Sequence, residues 1–190
     1  MRITTQLKLI SALTVAAIVV LVPVLFWSLA EFKSAKNDYV LASAILNNFF
    51  ERASFRDQYF LYREERVRKQ WDQNKAISDQ LLSRAEHQFK GEAERTLVKK
   101  LHQTIEETSV IFHRIVKNTG ARNTAIADRN ILQEFDTRLS SQLLLKAATV
   151  RDAATLLKEA SAQRVEQTYK YMGVTIGLFA VTLALATSLT

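Results

Sequence analysis

The chain has 190 residues, a formal net charge of +7, a mean hydropathy near zero and no cysteine. Without cysteine there is no disulfide, no thiolate metal site and no thiol nucleophile, which also suits exposure to an oxidising space. The basic excess does not point to nucleic acid, because charges of both signs are interleaved, as in Arg63-Glu64-Glu65-Arg66, the pattern of a solvated helix surface.

The near-zero hydropathy hides a segregated chain. Arg2 and Lys8 precede an uncharged run of 22 residues, Leu9 to Ala30. At about 1.5 Å per residue such a helix crosses a hydrocarbon core of about 30 Å. All 19 acidic residues and 24 of the 26 basic ones then lie between Glu31 and Lys170, so that block carries a formal +5. A second uncharged run of 20 residues, Tyr171 to Thr190, follows. In lipid both runs must be helical, so that every peptide group is paired internally. The expected domains are therefore a cytoplasmic tail (1–8), transmembrane helix 1 (9–30), an extracytoplasmic domain (31–170) and transmembrane helix 2 (171–190). Ser28-Leu29-Ala30 resembles a signal-peptide cleavage site, but the apolar region exceeds the about 7–15 residues of typical signal peptides. The first run is therefore read as a retained anchor.

Arg2 and Lys8 favour a cytoplasmic N-terminus, although Lys33, Lys36 and Lys170 weaken that bias. Phe26, Trp27 and Phe32 end the first run, and Tyr169 and Tyr171 open the second. Aromatic rings collect at membrane interfaces, so both ends should meet the same one. The block 31–170 is then periplasmic or extracellular, and the chain is expected to be a multi-pass protein of the bacterial inner membrane. Gly173 and Gly177 form a GxxxG, continued by Ala180 and Ala184, while Ala12 and Ala16 repeat the spacing in the first run. Such faces predict close helix packing, within the chain or across a dimer. Pro23 should kink or tilt the first span.

The central block has no proline and only two glycines, Gly91 and Gly120, so the turns of an all-β fold are missing. Its apolar residues recur at helical spacing in four stripes. The first is Phe32, Ala35, Tyr39, Ala42, Leu46, Phe49, Ala53 and Phe60, interrupted by Arg56. The second is Val67, Trp71, Asn74, Ile77, Leu81 and Ala85, and the third is Val98, Leu101, Ile105, Thr108, Phe112 and Ile115. The fourth is Leu132, Phe135, Leu139, Leu143, Ala147, Val150, Ala154 and Leu157. A break near Tyr62-Arg63-Glu64 separates the first two helices. Gly91 and Asn118-Thr119-Gly120 read as C-terminal stops, Arg122 to Arg129 as a loop, and Asn130 with Gln133 as a capping box. The expected fold is all-α: a membrane-anchored antiparallel four-helix bundle, with helices of roughly 26–40 residues, flanked by two transmembrane helices.

The stretch Tyr59-Phe60-Leu61-Tyr62-Arg63-Glu64-Glu65-Arg66-Val67-Arg68-Lys69-Gln70-Trp71 and the two-span layout together resemble the four-helix-bundle sensor domains of bacterial chemoreceptors, sensor histidine kinases and diguanylate cyclases. That resemblance implies a homodimer in the bilayer, a small ligand or periplasmic protein sensed outside, and a cytoplasmic output domain, with histidine kinase favoured. No phosphoacceptor-histidine segment or nucleotide motif lies within these 190 residues, so they are expected not to be an enzyme. In the related aspartate-type receptors, arginines of the first helix grip a ligand carboxylate. Here Arg52, Arg56 and Arg63 are the matching candidates, by bidentate guanidinium geometry. Arg56 leads, because it falls in the apolar stripe, where an unpaired charge is costly. The alternative is pairing with Glu51, Asp57 or Glu64. Phe49, Phe50, Phe55, Tyr59, Phe60, Tyr62 and Trp71 read first as core. His102 and Glu106, one turn apart, with His113, make a thin metal seed, and neither metal nor cofactor is expected. The functional expectation is a sensory input module acting by helix displacement. The alternative is a small membrane scaffold protein with a helical ectodomain and no output domain.

Overall fold

A computed structural model describes residues 2–122 and 129–188, with side-chain surroundings described over most of 18–119 and 133–182. It consists of α1 (Arg2–Tyr62), α2 (Glu65–Gln88), α3 (Glu92–Arg122) and α4 (Arg129–Ser188). No strand occurs among the described residues, so the fold is all-α.

The α1–α2 break falls where expected and is made by one residue. Arg63 has φ 55, and its N–H donates to the Tyr59 carbonyl at 2.9 Å, an αL cap built on a non-glycine residue. Left-handed backbone costs a side-chain-bearing residue about 1–2 kcal/mol. The Arg63 side chain offsets this by lying 5.5 Å and 5.6 Å from the Tyr59 and Phe60 ring centres and donating to Thr119 Oγ1 at 3.3 Å. Glu64, extended, then starts α2.

The two glycine stops are corrected. Gly91 has no positive φ and caps the start of α3: its N–H donates to Glu94 Oε2 at 3.2 Å, the reciprocal half of a capping box. What ends α2 is extended Phe89, whose fully buried ring pulls the chain inward. Gly120 does not stop α3, which runs on to Arg122; a helical glycine costs only about 1 kcal/mol. Most of the expected loop, residues 123–128, lies outside the described residues. Helix α4 starts at Arg129, which puts Asn130 inside the first turn rather than at the cap.

The chain divides into two compact units, 1–39 with 161–190, and 40–160. The second holds two buried clusters. One joins Leu41, Ile45, Leu46 and Phe49 of α1 with Leu82 and Ala85 of α2, Phe89, Val98, Leu101 and Ile105 of α3, and Val150, Ala154 and Leu157 of α4. The other joins Tyr59, Val67, Trp71, Phe112, Ile115, Leu139 and Leu143. Across α2 and α3, residue numbers rise as they fall: Trp71 stacks on Phe112, Lys75 pairs with Glu106, and Glu86 meets His102. The third stripe is buried throughout. In the second, Ser78 and Leu82 are buried in place of Ile77 and Leu81, and in the fourth, buried Asp136 replaces Phe135, which is half-exposed. Both are one-residue rotations of the face, chosen by polar contacts: Ser78 Oγ donates to Asn48 Oδ1 at 2.6 Å, and Asn118 Nδ2 donates to Asp136 Oδ1 at 3.4 Å.

In the first unit, Arg164 of α4 reaches α1 with both arms, to Asp38 at 2.9 Å and Glu31 at 2.7 Å, and Phe32 and Tyr169 face each other at 6.3 Å. Phe26, Trp27 and Tyr171 are exposed. A Cβ built on Gly173 or Gly177 meets no described atom within 4 Å, so the helix surface at those two glycines is open. Ala12, the other end of that pattern, lies outside the described side chains. By length and composition one helix among the described residues can cross a membrane, near the N-terminus: the stretch Ile18–Tyr62 contains an 18-residue window of mean hydropathy 1.7. The described part of the second apolar run is helical but gives no second such window.

Candidate functional site

Between the two apolar clusters of the 40–160 unit lies a layer of polar side chains: Asn48 and Arg52 on α1, Asn74 and Ser78 on α2, and Thr104, Thr108 and Ser109 on α3, all buried. Three helices contribute it because each stripe carries polar residues at inward positions. Hydroxyls close part of the account on their own backbones: Thr108 and Ser109 donate to the Ile105 carbonyl at 2.7 Å and 2.8 Å, and Thr104 donates to that of Lys100 at 2.8 Å.

Arg52 is the exception. It is only 2% exposed. Its guanidinium stacks 3.9 Å from the centre of the Trp71 ring, and Nη2 donates to Ser109 Oγ at 2.6 Å. Its Nε and Nη1 are buried with no acceptor among the described residues. Asn48 Nδ2 and Trp71 Nε1 are orphaned donors of the same layer, against one orphaned acceptor, Asn74 Oδ1. Among the described residues no carboxylate hydrogen-bonds to Arg52. Burial pulls its pKa down to about 10, opposed by the more distant charges of Asp79, Glu106 and Asp72. The layer thus has more unpartnered donors than acceptors around a cation that makes no ion-pair contact among the described residues, a chemistry that suits an anion.

Two small cavities touch this guanidinium. One is lined by Phe49, Arg52, Ala53, Arg56, Trp71, Ile105, Thr108, Leu143, Ala147 and Val150. The other is lined by Ile45, Asn48, Phe49, Arg52, Ser78, Leu81, Leu82, Ile105 and Val150. Each leaves about 10 Å³ for the centre of a water-sized sphere, the lower limit for one water. A larger groove of about 520 Å³ in the other unit is lined by Trp27, Glu31, Arg164 and Tyr171 among others. Its charges already satisfy each other, so it supplies less drive for an ionic ligand.

The three candidate arginines thus separate. Arg52 and Arg56 line the same cavity, and Arg63 does not. Arg56, the leading candidate from sequence, is neutralised by its neighbour: Nε and Nη2 both reach Asp57 Oδ1 at 2.8 Å. Arg63 is a helix cap. Replacing it by glycine relieves the left-handed backbone while losing the ring and Thr119 contacts, so Arg63→Gly is expected to change stability by less than about 1 kcal/mol, measured by urea unfolding. Sequence reasoning missed Asn48, Ser78 and Ser109. The usable signal was that Asn74 and Thr108 already stood inside apolar stripes. His113 lies apart from His102, with its Nε2 3.1 Å from Asp72 and its Nδ1 2.8 Å from the Ser109 carbonyl, so those two histidines share no site.

Compared with family models, curated proteins and solved structures, the chain matches none of them.

Proposed function

We propose that the chain is a membrane-anchored sensory input module whose 40–160 unit, an antiparallel four-helix bundle, binds a small anion at Arg52. The observation that carries this reading is the buried Arg52 guanidinium with two N–H groups left over. The helix pairings support the bundle: α1 meets α2 through Asn48 and Ser78, α2 meets α3 through Lys75 and Glu106, and α3 meets α4 through Glu107 and Lys146. The apolar first run and the exposed aromatics at the end of it support the anchor. The dimer implied by the family resemblance would use the open Gly173 and Gly177 face.

The cavity's size supports a mechanism. A carboxylate or oxyanion has at least three heavy atoms and does not fit in the space for one water, so it enters only if the helices part. Ligand affinity is thereby converted into helix displacement, the differential binding that a two-state switch requires. Leu143, Ala147 and Val150 of α4 form a wall of the cavity, and α4 is one helix from Arg129 to Ser188.

Isothermal titration of the full chain in lipid nanodiscs against formate, acetate, nitrate and phosphate tests the reading. Saturable binding of at least one of them, lost in Arg52→Met and kept in Arg63→Gly, is expected; absence of binding by all four sinks it. The topology has its own check: Lys100 should react with a membrane-impermeant amine reagent only from outside the cell.

A further inference from the structure

Asp79 of α2 with His102 and Glu106 of α3 bring three ligand atoms within 4.8 Å of one another. We propose that these three residues form a site for a divalent transition-metal ion of the Zn²⁺ type, with Lys75 as a built-in competitor. The site lies outside the layer of orphaned donors and does not depend on the anion reading.

Four observations carry it. His102 and Glu106 are four residues apart on one helix, so a single backbone presents both to the same spot. The cluster already collects positive charge, since the Lys75 ammonium donates to Asp79 Oδ2 at 2.8 Å and to Glu106 Oε1 at 2.6 Å. Asp79 Oδ1 is shielded from solvent and has no partner among the described residues, so one carboxylate oxygen remains to be satisfied. Finally, Glu86 approaches the His102 ring nitrogen Nδ1 at 3.2 Å. A carboxylate behind an imidazole fixes its orientation and raises its basicity, the support that metal-bound histidines carry.

The geometry needs a small closure. An ion equidistant from three atoms 4.8 Å apart would sit about 2.8 Å from each, against roughly 2.0–2.2 Å for zinc bonds to nitrogen and oxygen. The side chains of Asp79, His102 and Glu106 are 40%, 42% and 49% exposed, so rotamer changes can supply the difference. One nitrogen and two oxygens favour a transition metal over Mg²⁺ or Ca²⁺, which take oxygen ligands throughout. Two carboxylates, those of Asp79 and Glu106, face the single charge of Lys75. Replacing one positive charge by two improves that balance, and the long lysine stem lets its ammonium swing into water.

The test is titration of the untagged full chain with Co²⁺, read by its visible ligand-field absorption, with Zn²⁺ as competitor. One equivalent should bind per chain. His102→Ala and Asp79→Asn should each weaken binding at least tenfold, and Glu86→Gln by roughly tenfold through the lost support of the imidazole. His113→Ala should change nothing. The diagnostic variant is Lys75→Met. A purely structural role for the cluster predicts no gain in metal affinity there, whereas removing the competing ammonium should tighten Co²⁺ binding roughly tenfold. Wild-type affinity in His102→Ala, or no tightening in Lys75→Met, overturns the proposal.

Discussion

Arg52→Met is expected to make the 40–160 unit more stable, by about 1–2 kcal/mol, while abolishing anion binding. The depression of the Arg52 pKa to about 10 by burial corresponds to about 3 kcal/mol of unfavourable free energy for the charged form. Set against that cost are the stack on Trp71 and the hydrogen bond to Ser109, together worth about 1–2 kcal/mol. Methionine keeps an unbranched apolar stem beside Phe49, Trp71 and Val150 and removes the two orphaned N–H groups of Arg52. Ser109 keeps its bond to the Ile105 carbonyl. The sign in pH follows from the same shift. Above about pH 10 the folded state releases the Arg52 proton more readily than the unfolded chain. The Arg52 contribution to stability therefore rises with pH there, and its penalty is fully present at neutral pH. Thermal unfolding followed by Trp71 fluorescence should show Arg52→Met melting several degrees higher. A variant less stable than the wild type that still binds the anion would refute the site. The expected gain is the usual relation between a strained binding group and fold stability: the residue that needs a ligand is the one the fold would rather lack.

Phe112→Ala should act in the opposite direction, costing about 3–5 kcal/mol. Phe112 is fully buried, stacks on Trp71 with ring centres 4.2 Å apart, and meets Tyr59 edge-on at 5.1 Å. Its removal opens a hole at the centre of the cluster that also holds Val67, Ile115, Leu139 and Leu143. Because Trp71 is both a member of that cluster and the platform for Arg52, the same variant should weaken anion binding. Phe50→Ala, at a half-exposed ring of α1, is the control and should cost under about 1 kcal/mol. Urea unfolding of the two variants side by side measures the contrast, and comparable losses in both would mean that the Phe112 cluster is not a core.

Much of this architecture is legible in the residues themselves. A block without proline and nearly without glycine, with apolar residues at three- and four-residue spacing, leaves helix as the only regular structure that satisfies the backbone. The break at Arg63 could be placed because a continuous α1–α2 helix would have had no partner of equal length. Gly91 was misjudged because glycine suits both ends of a helix. Only the direction of its N–H, toward Glu94 rather than back into α2, decides between them.

The polar layer was legible only in fragments. Asn74 and Thr108 stand inside the second and third stripes, whereas Arg52 lies outside the first, which Arg56 interrupts, and only the structure shows it buried. Whether they stand at one level depends on how the helices are set against each other, which no single helix determines. Likewise the preference for Arg56 over Arg52 followed from local spacing, whereas the choice was made by partners. Asp57 lies within reach of Arg56, and no carboxylate among the described residues hydrogen-bonds to Arg52. By itself, then, the order of amino acids determined helicity, the apolar faces and the segregation of charge into the middle of the chain, because these follow from short-range spacing and solvation. Tertiary structure alone decided which buried charge has no carboxylate in hydrogen-bond contact among the described residues and which acidic groups gather around Lys75. Pairing is a property of side chains brought together from different helices, and its energy depends on distances that only packing sets.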